Sequence, residues 1–281
     1  MQDAFAYCAD LVRTNDRDRY IATLFAPAEH RDALHALFAF NTEIARVRDV
    51  AREPMPGEIR LQWWVDVLNG ERDGEGSANP VAAALLDTIQ RHKLGTAPLT
   101  ALIDAHRFDL YDDPMAHLAD LETYAGETSS ALITLAAQIL TGSNLEIAAK
   151  AAKPAGIAQA VTAFLYAFPL HAGRKQLFVP VDLLTRHGVA LHDIFTGLAS
   201  AGLNAAFAEL RTIARQRLCE TQECLAALPP EALAAFLPIA LVGPSLRLLD
   251  RCDAFAPAEI SPWRRQWLIW RAACNPARIA A

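Results

Sequence analysis

The sequence predicts an all-α protein, and three observations carry that expectation. Apolar residues recur at three- and four-residue steps along most of the 281-residue chain, the period of an amphipathic helix. Alternating apolar and polar runs are nearly missing; Gln176–Val181 could be extended but is too short to build a sheet. No repeat or low-complexity linker divides the chain, so residues 1–281 read as a single domain, a helical bundle with short connections. A composition that is 53% apolar supplies a substantial core at this length.

Taken in order, Leu34, Leu37, Phe38, Ile44, Val47 and Val50 fall on one stripe of a long helix, with Pro27 just ahead of it where proline is tolerated. Leu61, Trp64, Val65 and Leu68 repeat the pattern. Gly70 and the polar run Glu71–Asn79 end that helix, and Gly74–Ser77 is expected to be a loop. Further helices are expected from about Pro80, Pro98, Ala116, Leu145, Gly202 and Pro230, with a last one after Pro262.

Charge and composition exclude several classes. A net charge of −6 argues against nucleic acid as a partner, because phosphate-tracking proteins present a basic face. Five cysteines, an odd number without CxxC spacing, argue against a disulfide framework and a zinc site, and fit a reducing compartment. Met1–Phe5 has neither the basic and apolar regions of a signal peptide nor an Arg-rich presequence. The most apolar run, Ala232–Leu249, is interrupted by Pro238, Gly243 and Pro244, short of the ~20 apolar residues a membrane span needs. The expectation is a cytoplasmic protein, with peripheral contact at an inner membrane as the open alternative.

The chemistry-bearing feature is an absence. Between Glu146 and Asp182 lie 35 residues without a carboxylate, covering the helix Gly156–Ala167 and the run Phe168–Pro180. Ala36–Asp49 is a second segment of similar character. The Asp109–Asp113 spacing, followed at once by Pro114, reads as a helix end with turn-forming aspartates, with a relocated metal site as the alternative. His171 has no nearby Cys or carboxylate to complete a metal site, and reads as a polar group in a pocket. Trp63 and Trp64 read as core, with the wall of an apolar tunnel as the alternative.

Leu34–Phe40, Ile59–Trp64, Asn79–Val81, Leu121–Tyr124 and Leu177–Pro180 together resemble the squalene/phytoene synthase family from Tyr7 to about Val189. The resemblance implies an isoprenoid-synthase-type helical bundle around a central cavity. In that family two facing helices carry aspartates four residues apart, whose carboxylates hold the magnesium ions that neutralise a departing diphosphate. The first of those motifs falls here on Ala45–Asp49, where Asp49 alone keeps an acid and Arg46 and Arg48 supply cations. The second falls on Ala167 and His171, and Gly126 stands where the family has a further tyrosine. The resemblance therefore places a degenerate cavity site on Asn41, Ala45, Arg46, Arg48, Asp49, Tyr124, Ala163, Ala167 and His171. No catalytic residue, metal ligand or cofactor is expected there; Mg2+ enters only if the chain is a prenyltransferase after all.

A divergent branch matches further pieces: Tyr7–Arg13, Pro27–Arg31, Phe40–Asp49, Tyr124–Ser130 and Pro169–Lys175. That branch resembles the sixth assembly factor of mitochondrial NADH:ubiquinone oxidoreductase (complex I) and its bacterial relatives. It implies a pseudoenzyme assisting complex I assembly, with complex I subunits or assembly factors as partners. The lack of a presequence points to a bacterial member. The alternatives are a prenyltransferase joining two prenyl diphosphates, and a carrier of an isoprenoid or other lipid. Arg46, Arg48, Arg174 and Lys175 either form an anion-binding pocket for a diphosphate or headgroup or are solvated faces paired with Glu43 and Asp49. Trp263, Trp267 and Trp270 share one helix face beside Arg264, Arg265 and Arg271. Such a stripe is expected to seal its helix onto the bundle; the alternative is a membrane or partner surface.

Overall fold

A computed structural model of the protein describes residues 1–51, 53–143, 146–256 and 259–281. In chain order the α-helices are α1 (Gln2–Asn15), α2 (Arg17–Thr23), α3 (Ala28–Ala45), α4 (Val47–Val50), α5 (Pro54–Leu68), α6 (Asp73–Ala78), α7 (Pro80–His92), α8 (Thr96–Ala105) and α9 (Leu118–Ala125). They continue with α10 (Ala131–Thr141), α11 (Glu146–Tyr166), α12 (Phe168–Gly173), α13 (Val181–Arg186), α14 (Leu191–Phe195), α15 (Ala201–Leu225), α16 (Val242–Leu249) and α17 (Pro262–Cys274). A π turn, Gly126–Ser130, joins α9 to α10, and no strand occurs among the described residues. The all-α class is as the periodicity predicts.

Local chemistry sets several boundaries. Asn79 caps α7 by accepting from the amides of Val81 and Ala82 at 2.9 and 3.1 Å, and Pro80 and Pro262 open their helices where a missing N–H breaks no bond. Thr96, Leu118 and Ala201 start helices within a residue or two of the expected points; the expected start at Leu145 lies outside the described residues.

Other expectations are corrected. Asp73–Ala78 is a helical turn rather than a loop: the Ser77 hydroxyl donates to the Asp73 carbonyl at 2.7 Å, and Asp73 and Glu75 favour the positive end of the turn. Pro230–Leu241 is a 3-10 segment rather than α-helix; Pro238 lacks the N–H an α-helix would bond back to residue 234. The long helix expected through Val50 breaks at Arg46 (φ −97°, ψ 7°) and restarts as α4, which packs on α5 and the turn Phe108–Leu110. Gln176–Val181 makes no ladder, although the Met115 amide donates to the Leu177 carbonyl and the Val181 amide to the Met115 carbonyl, at 3.1 and 2.9 Å. The tryptophan stripe does not seal α17: Trp263, Trp267 and Trp270 are 82%, 48% and 52% exposed, while Ile269 and Ala272 make the seat.

One apolar cluster runs from Phe5 to Ala280. At its centre α11, rich in alanine, packs on α15, α10, α16 and the π turn. The closest approach is at Gly156, where an added Cβ would lie 2.3 Å from the Ser130 backbone nitrogen. Pro230–Leu249 has a mean hydropathy of 1.8 and the length to cross a membrane, but 78% of that stretch is buried, against α10 and α17 among others. All five cysteines are free thiols.

Candidate functional site

The two segments that the resemblance singles out share a local geometry. Helix α3 ends at Ala45 and α11 at Tyr166; each is followed by one residue near φ −95° and ψ 5°, Arg46 (−97°, 7°) and Ala167 (−91°, 5°), and then by a short helix. Pro169 lies in the first turn of α12, where no intrahelical bond is lost. Ala163, Ala167 and His171 therefore do not continue one uninterrupted helical face.

Beside these segments lie two adjoining hollows open to solvent, and Arg19, Gln159 and Ala163 line both. The first, about 240 Å³, is also lined by Asn41, Ala45, His106, Tyr124 and Ser129. The second, about 340 Å³, reaches Ala167, Tyr166, Pro238, Leu241 and the pair Asp18–Arg265. Ala45, Ala163 and Ala167 thus present methyl groups to the hollows, and a methyl group offers a magnesium ion none of the oxygen ligands it takes. Among the described residues, no group of three or more His, Cys, Asp or Glu side chains gathers to hold a metal.

Ion pairs reach the inner hollows instead. Arg19 binds Asp16 at 2.5 Å, and its guanidinium lies 5.7 Å from the centre of the Phe38 ring. Arg265 donates Nε–H to Asp18 at 3.0 Å and pairs a second nitrogen with the same carboxylate; hydrogen bonding to Asp18 holds its pKa above the ordinary value. The Gln159 Oε1 is buried without a hydrogen-bond partner. Of these residues Arg265 was named from sequence, but only as a neighbour of the tryptophan stripe; Asp16, Asp18, Arg19 and Gln159 were not. The alternating Asp16-Arg17-Asp18-Arg19 run at the break between α1 and α2 was the available signal.

Behind the first hollow sits a buried polar knot. The Asp109 carboxylate lies 2.6 Å from His106 Nδ1, and the Tyr124 hydroxyl lies 3.0 Å from both Asp109 oxygens and 3.1 Å from His106 Nδ1. Gln176 Nε2 donates to the Asp109 carbonyl at 2.9 Å. Burial first, and then the Asp109 charge, push the Tyr124 phenol well above its ordinary pKa, so it remains a neutral donor. Asp109 lies in the turn Phe108–Leu110, as expected of a helix end, and its side chain is in addition the anchor of the knot; Asp112, three residues on, pairs with Arg48 at 2.6 Å.

His171 packs on aromatic rings, its centroid 4.8 Å from Phe178 and 6.1 Å from Phe164, which stack on each other at 4.3 Å. Burial, with help from Arg174 and against Asp109, lowers its pKa; it lines neither inner hollow.

Arg46, Arg48, Asp49 and Arg174 meet in a separate outer concavity of about 490 Å³. Arg46 donates to the Asn15 side-chain oxygen, Arg48 to the Leu110 carbonyl and Asp112, and Arg174 to Asp49 at 2.6 Å. Lys175, in the left-handed region at φ 59°, lines neither this concavity nor the inner hollows. Glu43 turns to Arg60 at 2.5 Å. Trp64 is buried, whereas Trp63 reaches Glu75 through its indole N–H at 2.9 Å; both line an outer groove with Pro56 and Ile59.

Comparison with known proteins agrees with this architecture. The chain is 31% identical over 251 residues to NADH dehydrogenase (ubiquinone) complex I, assembly factor 6 of Rattus norvegicus, covering 89% of this chain and 75% of that one. It is 30% identical over 247 residues to the Homo sapiens protein of the same name, covering 88% and 74%. A crystal structure of a dehydrosqualene synthase with ligand superposes with a TM-score of 0.83 at 20% identity, covering 98% of this chain and 97% of that one. The family model for squalene/phytoene synthase matches residues 12–271, and the chain belongs to that family.

Proposed function

We propose that this chain is a non-catalytic member of its family that assists assembly of respiratory complex I, working with complex I subunits or other assembly factors at the cytoplasmic face of an inner membrane. The observation that carries the reading is the 31% identity over 89% of the chain to a protein named as a complex I assembly factor. The methyl groups of Ala45, Ala163 and Ala167 around the inner hollows support the non-catalytic half. A diphosphate leaving group needs preorganised positive charge at the metal-bridged position, and one missing partner of that kind costs ~3 kcal/mol or more of transition-state stabilisation. Deleting the gene should lower assembled complex I on native gels; unchanged levels sink the assembly role.

The outer concavity supports a second reading. Its arginines, Arg46, Arg48 and Arg174, with Lys175 beside them in sequence, would grip a diphosphate or headgroup without metal while an isoprenoid or other lipid occupied the inner hollows. Incubation with labelled prenyl diphosphates and Mg2+ separates the readings. Squalene or phytoene in the products would establish a prenyltransferase and overturn the non-catalytic reading; stoichiometric binding without turnover would favour the carrier.

A further inference from the structure

The residues beyond Glu259 differ from the rest of the chain. Ile260–Ala281 contains four arginines and no Asp or Glu, at the end of a protein whose net charge is −6. Most of this basic stretch is α17. At 3.6 residues per turn Trp263, Trp267, Trp270 and Cys274 share an arc of about 60°, on the side away from the buried Ile269 and Ala272. All four are exposed. Arg264 and Arg271 fall next to that arc on one flank, and the Arg271 guanidinium lies 4.3 Å from the centre of the Trp267 ring.

The arginines divide into two kinds. Arg265, on the buried side, is committed to Asp18. Arg264 and Arg271 have no carboxylate within ion-pair distance among the described residues. The helix is firmly backed, packing on the 3-10 segment Pro230–Leu241 and on α2, so its outer face is held out as a surface rather than left as a frayed end.

We propose that this face of α17 docks the protein on an anionic lipid bilayer, Trp263, Trp267 and Trp270 entering the headgroup layer while Arg264 and Arg271 engage lipid phosphates. Indoles suit that boundary because one ring carries both an apolar body and a polar N–H. Unpaired guanidiniums beside them match phosphate oxygens in charge and geometry. The arginines of the outer concavity are partly neutralised, Arg48 by Asp112 and Arg174 by Asp49, whereas the α17 face carries two unpaired guanidiniums in a stretch without Asp or Glu, which favours its approach to an anionic surface. The inference deepens, and rests on, the membrane-face location proposed above. Vesicle binding by the purified chain is read without complex I, so the two readings fail separately.

The test is flotation of the full chain with phosphatidylcholine vesicles prepared with and without phosphatidylglycerol, together with tryptophan emission. The chain should float with the anionic vesicles and its emission should shift to the blue. R264Q/R271Q should bind roughly thirtyfold more weakly, from two surface charges near the bilayer. W263S/W267S/W270S should fail to float while keeping its helical circular dichroism, because Ile269 and Ala272 still seat the helix. Should that variant unfold, the arginine variant decides alone. No flotation at low salt, equal flotation with neutral vesicles, or wild-type binding by either folded variant would overturn the proposal. So would a Trp-dependent dimer in sedimentation without vesicle binding, which would make the occupant a second copy.

Discussion

Removing one oxygen from Tyr124 tests the physical account of the site most directly. Tyr124→Phe keeps the ring, and with it the contacts to Phe108, Phe164 and Phe178 at centroid distances of 6.2, 5.8 and 5.9 Å. What is lost is the hydroxyl 3.0 Å from both oxygens of Asp109. His106 Nδ1 remains at 2.6 Å, so the carboxylate is weakened rather than abandoned. Hydrogen bonds to charged groups contribute about 1.5–3 kcal/mol, so a loss of about 2 kcal/mol is expected, lowering Tm by about 3–4 °C for a protein of this size. Denaturant unfolding at constant m-value measures it. The cycle with Asp109→Asn should show a coupling of about 1–2 kcal/mol. Strict additivity, or a Tm within a degree of wild type, would refute the knot as a stabilising unit. The same variant bears on function: if Tyr124 is scaffold, complex I levels should follow the amount of folded protein and fall no further.

Three more expectations follow from the geometry. Gly156→Ala drives a methyl to 2.3 Å from the Ser130 nitrogen and hydroxyl, and overpacking against backbone should cost about 3 kcal/mol despite alanine's better helix propensity; a stabilised variant would contradict the close crossing of α11 on the π turn. Millimolar Mg2+ should raise Tm no more than sodium chloride of equal ionic strength, since a ligand at a hundred times its Kd would add about 2.7 kcal/mol, and a rise of that size would refute the misfit of the cavity to the ion. Burial lowers the pKa of His35, His92 and His171 below the ordinary 6.5. The fold favours their neutral forms, so their contribution is complete above pH ~6.5 and is lost as pH falls through the folded values. His35→Leu, which removes a ring with both nitrogens buried and unpartnered, should flatten the stability slope between pH 7 and 5; an unchanged slope would exclude His35.

Where a boundary is written in adjacent residues, the sequence was enough to find it. Asn79-Pro80 and Ser261-Pro262 each place a helix start within two positions, and α7 and α17 begin there. The break at Ala167 is signalled by Pro169, which opens α12 two residues on, whereas the break at Arg46 has no such signature, because apolar periodicity continues across it. Asp109 shows a further limit: it does lie in a turn after α8, but Tyr124, which bonds its carboxylate, and Gln176, which bonds its backbone carbonyl, are 15 and 67 residues away. In α17 periodicity reveals that faces exist and not which one turns inward. Two candidates competed, a tryptophan stripe and a slimmer one around Ile269 and Ala272, and the slimmer one lets the helix lie close against Pro230–Leu241. Bulk would have favoured the indoles; close approach to a proline-bearing segment favoured alanine.

The segments that end in α4 and α12 raise a last physical question, what holds them together. Arg174, just after α12, reaches Asp49 of α4 at 2.6 Å and so joins the second segment to the first directly. Both side chains are 40% exposed or more, and an exposed pair of this kind contributes about 0–1 kcal/mol, too little to fix the geometry alone. The stacking of Phe164 on Phe178, the contact of His171 with both rings, and the bond from Gln176 to the Asp109 carbonyl lie deeper. They tie α11 and the chain after α12 to the knot below α9. Charge at the mouth is therefore free to vary while the aromatic and polar knot keeps the hollows in shape. Arg174→Ala should leave Tm nearly unchanged where Tyr124→Phe lowers it, and the reverse order would assign closure of the site to the ion pair.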